Sequence, residues 1–120
     1  MSAPDLEELA RRAVKCPRWR WVEGMGAVNA SLRGVYASKS RVVGKAAAKQ
    51  VPGNLVPDLT DPATMGCLLA LVREAFDDPT IFAECHPVGA KWQTHSVDGG
   101  VFGEGSTEAE ALVAALEAAP

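Results

Sequence analysis

The residues best suited to bond-making chemistry are Cys85, His86 and His95, a thiol and two imidazoles within eleven positions. A working thiolate needs a lowered pKa, a base in reach and a third group that orients the base. The spacing demands none of these. Cys85 shares strand parity with Ile81 and Ala83, which predicts a core thiol and surface imidazoles. A zinc site would have to gather Cys16, Cys67, Cys85, His86 and His95 from three elements, whereas structural zinc uses close ligand pairs. The three cysteines are odd in number and lack a CxxC pair, so they read as mostly buried free thiols of a reducing compartment. Gly99, Gly100, Gly103 and Gly105 have the wrong order for a dinucleotide loop, and no GK[ST] follows. They fit a hairpin and a bulge better. Asp77-Asp78 precedes Pro79 as a helix exit. No catalytic residue, cofactor site or metal ligand is assigned.

The better candidate is a binding segment. Arg18-Trp19-Arg20-Trp21-Val22 alternates cation and ring, as a half-buried strand does. On a strand, Arg18 and Arg20 share one face, and Trp19 and Trp21 the other. The rings are then expected in the core. If exposed, they could stack bases or anchor a protein interface.

Charge separates along the chain. Residues 1–53 hold ten Lys/Arg and four Asp/Glu, a balance of +6, while residues 54–120 hold two and eleven, a balance of −9. Two faces of opposite sign would steer a charged partner; interleaved halves would neutralise each other. The basic candidates for a partner surface are Arg18, Arg20, Arg33, Lys39 and Arg41. The acidic ones are Glu84, Asp98, Glu104, Glu108 and Glu110.

Those side chains must be carried by local elements. A helix is expected over about 5–16, with Leu6, Leu9, Ala10 and Ala13 at helical spacing, Asp5 or Ser2 as cap and Pro17 as stop. Short strands are expected within 27–45. Lys45 to Gln50 is a helical turn or a loop, Val51-Pro52-Gly53-Asn54 is a loop, and 51–57 could serve as a soft junction. The clearest helix spans about 62–76, with Asp61 as cap, Pro62 at its first position, and Met65, Leu68, Leu69, Val72 and Phe76 as its stripe. A three-stranded meander over 81–103 follows, with Pro87-Val88-Gly89 and Asp98-Gly99-Gly100 as turns. The last helix, about 108–118, opens on a capping box of Thr107 and Glu110.

This order predicts an α+β fold: an antiparallel sheet, made of the meander plus short N-terminal strands, packed by three helices. A length of 120 residues predicts one domain, 1–120. The 48% hydrophobic content is enough for a core and argues against disorder. No run approaches the ~18 apolar residues of a membrane span. The acidic N-terminus does not resemble a secretion signal. The expected location is a cytosol.

Three stretches resemble segments of small uncharacterised phage and prophage proteins of GC-rich bacteria. They are Cys16-Pro17-Arg18-Trp19-Arg20-Trp21-Val22-Glu23-Gly24-Met25, the segment from Leu55 to Ala75 (LVPDLTDPATMGCLLALVREA), and the segment from Thr107 to Glu117 (TEAEALVAALE). They occur in chain order and cover under half of the chain. The second half also resembles phage α-β-α sandwich domains in element order. The resemblance implies origin and transfers no site residue. Together with the small size, the missing catalytic apparatus and the charge split, it leads to the expectation of a non-enzymatic accessory protein in the cytosol of a bacterial host, one that binds and inhibits a host protein or ribonucleoprotein. Anti-CRISPR and other anti-defence inhibitors are the class in view. The alternative is a nucleic-acid-binding or regulatory phage protein that uses the basic half. Head-to-tail docking of the charged halves would give a homodimer.

Overall fold

The computed structural model describes residues 6–29, 39–53, 55–86, 89 and 91–120, with Asn29, Lys39 and Lys45 described through their backbone alone. The expected caps Ser2 and Asp5, the candidate Arg33, and the Pro87-Val88 half of one turn lie outside the described residues. The fold is α+β, with four helices and two three-stranded antiparallel sheets among the described residues. No described helix is long and apolar enough to cross a membrane.

Helix α1 (Leu6–Lys15) buries Leu9, Ala10 and Ala13. Glu7 and Glu8 occupy its first turn and Arg12 and Lys15 its last, the arrangement that the helix dipole favours. After it the chain turns, with the Trp19 N–H donating to the Cys16 carbonyl at 3.0 Å. The strand expected at 18–22 does not form: 19–22 is irregular and pairs with no described strand. An alternating pattern makes a strand only where a neighbour takes up its backbone groups.

The N-terminal strands do not extend the meander. They build their own sheet, in the order β2-β1-β3. Strand β1 (Gly26–Asn29) pairs antiparallel with β2 (Lys39–Arg41) and with β3 (Leu55–Pro57). Between β2 and β3 lies α2 (Gly44–Ala48), a single helical turn where sequence left turn and loop open. Strand β3 follows the expected loop and falls inside the stretch expected as a soft junction. Val56 and Pro57 are buried, and β3 packs against α1.

Helix α3 (Pro62–Ala75) starts as expected. Asp61 accepts from the Thr64 N–H at 3.1 Å, and Pro62 takes the first position, where no N–H is needed. Its buried face is rotated from the expected stripe. Thr64, Leu68, Leu71, Val72 and Ala75 are buried, whereas Met65, Leu69 and Phe76 are half-buried. The reason is its neighbour, because α3 packs on α4 (Glu108–Ala118) rather than flat on a sheet. It reaches the meander through Phe76, whose ring lies 4.5 Å from that of Phe102.

The meander consists of β4 (Phe82–His86), β5 (Lys91–His95) and β6 (Val101–Gly105), in that order. Gly99, at φ 84°, forms the turn expected at Asp98-Gly99-Gly100. The register shifts at Thr94/His95, which is the bulge the glycines foretell. Helix α4 lies on this sheet, chiefly over β6 and β5. Gly103 lets it approach: a Cβ there would overlap the Ala111 carbonyl and the Ala115 amide. Thr94 is buried beneath the helix and donates to the Ala111 carbonyl at 3.0 Å. The Glu110 N–H donates to the Thr107 hydroxyl at 3.1 Å, but the Glu110 carboxylate accepts from Ser106 rather than completing the box at Thr107. Leu9, Met25, Leu68, Ile81, Leu112 and Leu116 are fully buried and belong to one continuous core.

Candidate binding groove

Trp19 and Trp21 are neither core nor platform. Both are half-buried, and they pack edge to face, with ring centroids 5.4 Å apart. Their backs rest on the core, and their other sides wall a groove of about 900 Å³. The rest of the lining comes from Ala48, Val51, Pro52, Gly53 and Leu55 and from Val14 of α1. The lining is mostly apolar. Arg20, Lys49 and Glu23 are exposed on its rim. The Trp19 indole N–H is buried and donates to no described group. Sequence pointed to the two rings. It gave no signal for Val14, Ala48, Val51 or Leu55, which only the fold brings beside them.

The basic candidates do not form a free cationic face among the described residues. Arg18 donates from Nε to the Pro120 carbonyl at 2.8 Å. Arg20 reaches both carboxylate oxygens of Glu74, at 2.7 and 2.8 Å. Arg41 donates to the Gly24 carbonyl at 2.9 Å and holds the Asp61 carboxylate with both terminal nitrogens. Arg12, outside the expected set, pairs with Glu117. Three cations of the basic half thus meet three anions of the acidic half, and in these pairs the two halves interleave. Lys39 is placed only by its backbone, opposite Val28.

Arg41 and Asp61 belong to a wider set. The Thr64 hydroxyl donates to Asp61 at 2.8 Å and accepts from the Gly26 N–H at 2.7 Å. One carboxylate therefore ties β2 to the start of α3, and Thr64 extends the tie to β1. The Arg41 guanidinium and the Thr64 donors hold the Asp61 carboxyl down at about 2.

The acidic candidates are spread over the meander and the start of α4. Glu84 is exposed and faces Gln93 across the strands. Glu104 accepts from Lys91 at 3.1 Å and from Gln93 at 3.2 Å, and Lys91 lowers its pKa. Asp98 is exposed in the hairpin turn, while Glu108 and Glu110 are half-buried at the entrance to α4.

Cys85 is exposed, contrary to its expected place in the core. Its parity is the inward one, because it pairs with Trp92 beside the Ala83–Thr94 pair. However, α4 covers β6 and β5 and leaves that end of edge strand β4 bare. His95 pairs with Phe82, an odd number of positions from Cys85, so the two lie on opposite faces of the sheet. The thiol–imidazole pair is not assembled. Of the other thiols, Cys16 is buried and Cys67 half-buried, and burial raises the pKa of both. Among the described residues no group of three His, Cys, Asp or Glu side chains is placed to hold a metal.

Compared with family models, curated proteins and solved structures, the chain matches none.

Proposed function

We propose that this protein works by binding: it is a phage-type accessory protein that occupies a surface of a host macromolecule and inhibits it. The observation that carries this reading is the tryptophan-walled groove. Concave, largely apolar sites with a few polar groups are where proteins take up ligands. Buried tryptophan is prominent among the residues that dominate interface energies. The phage element rests on the three resembling segments, two of which contribute residues to the groove. Cys16 to Met25 carries its tryptophan wall, and Leu55, also in the lining, opens the second segment. A defence component such as a CRISPR effector is the target class that the resemblance suggests.

The nucleic-acid reading takes second place. Arg18, Arg20 and Arg41 are already engaged by carbonyl or carboxylate groups. A strong phosphate surface would need them free. The two tryptophans meet edge to face and do not present parallel stacking faces.

The test is plaquing. Bacteria with active immunity against a phage are made to express the wild type or Gly53→Phe, and the targeted phage is titrated on both. Gly53 lines the groove, and a Cβ there meets nothing within 4 Å, so a ring can be added at the groove without displacing a neighbour. Plaquing restored by the wild type and lost in the variant is the expected result. Equal plaquing by both would remove the groove from the account.

A further inference from the structure

Resting on the groove reading, we infer that its occupant is an extended peptide segment of a protein partner, one that pairs with the backbone of Trp19 and Trp21 as an added strand. The sequence of this stretch alternates as a strand does, yet the fold gives it no strand neighbour among the described residues. The N–H groups of Arg20 and Trp21 donate to no described group, and the carbonyls of Trp19, Arg20 and Trp21 accept from none. Nearby backbone groups are used: Trp19 N–H goes to Cys16, Gly24 N–H to Val42 and Met25 N–H to Val22. On an extended chain Trp19 and Trp21 present their backbone groups to one edge, so that edge offers one N–H and two carbonyls beside an apolar groove, whereas Val22, on Arg20's edge, is already engaged with Met25. Backbone polar groups at a half-buried surface are satisfied best by another backbone, and addition of a strand is a recurrent way of taking up a peptide.

The groove sets the side chains of that peptide. Trp19, Trp21, Val51 and Leu55 offer contact to apolar residues at alternate positions. The Trp19 indole N–H in the same wall is a buried donor with no described partner. On the rim two cations, Arg20 and Lys49, stand against one anion, Glu23. Glu74 already holds Arg20, so Lys49 is the charge left to meet a carboxylate. The expected ligand is a short extended segment with alternate apolar residues and one acidic residue. A nucleic acid would gain little from unpaired amides or an aliphatic wall.

A random dodecapeptide display library, selected on the wild type and counter-selected on Gly53→Phe, tests this. Enriched peptides with alternate apolar residues and a carboxylate are expected. Their binding should weaken in Lys49→Glu, a change at an exposed site that spares the core contacts Trp21→Ala would remove. Amide exchange read residue by residue should then slow about tenfold or more at Trp21 when an enriched peptide is bound. No enrichment over the counter-selection, or bound peptides that leave the Trp21 amide exchanging as before, would overturn the inference. In the second case peptides blocked by Gly53→Phe would still uphold the groove. In the first, plaquing that remains sensitive to Gly53→Phe would do the same, so the two readings fail separately.

Discussion

Trp19 and Trp21 meet edge to face, their planes 80° apart, where the chain leaves α1. The pair has two roles: it closes one side of the core and forms one wall of the groove. The roles can be separated. Trp21→Ala removes a half-buried ring and should cost about 2 kcal/mol, below the 3–5 of a fully buried tryptophan. Gly53→Phe adds a ring to the groove lining in open space and should leave stability within about 0.5 kcal/mol. Urea unfolding of both variants checks the pair of values.

Gly103 is the point where α4 comes closest to the sheet. Gly103→Ala would drive a methyl group into the Ala111 carbonyl and the Ala115 amide, both backbone atoms that cannot turn away. The helix must lift, so a loss of about 3 kcal/mol or more is expected. Thermal unfolding would show it as a fall in Tm of ten degrees or more, taking ~4 degrees per kcal/mol for a domain of this size. An unchanged Tm would contradict the close packing.

Asp61 makes stability depend on acid. Its folded pKa, about 2, lies below the ordinary value of 3.8. A depressed carboxyl contributes stability that is fully present above the ordinary value and lost as pH falls through the folded one. The window is therefore from about pH 4 down to about pH 2. Asp61→Asn keeps a good helix cap but loses the charge that Arg41 holds. Tm measured from pH 7 to pH 2 should start lower in the variant and converge with the wild type in that window.

The thiols should react in the order Cys85, Cys67, Cys16, following exposed, half-buried and buried. Burial raises the pKa of the last two and so lowers their thiolate fraction. A chromogenic disulfide reagent applied to the native protein, with single Cys→Ser variants to assign the phases, reads this order. A fast phase that survives Cys85→Ser would contradict it.

Local chemistry was legible in the sequence. Asp61 with Pro62, Thr107 with the Glu110 amide, and Gly99 in its turn depend on neighbours a few positions away. Each stands where the sequence puts it. What depends on distant coverage was not legible. Cys85 has the parity of a core residue, but its exposure is decided by how far α4 reaches across the sheet. Strand β3 is three residues in a proline-bearing stretch, and β1 makes it a strand. The pattern at 18–22 is that of a strand, and the fold supplies no strand to pair it. The charge split is plain in the sequence, but only the structure joins Arg20 to Glu74 and Arg41 to Asp61. Of the groove, the two rings were legible and the rest of the lining was not.

The central claim is that the groove holds the partner. The most direct measurement is capture from bacterial lysate, with and without nuclease, with tagged wild type and tagged Gly53→Phe side by side, the catch read by mass spectrometry. One defined host complex on the wild type and its loss from the equally folded variant is the predicted result. The same complex on both baits, or a catch that disappears from the wild type with nuclease alone, would contradict it.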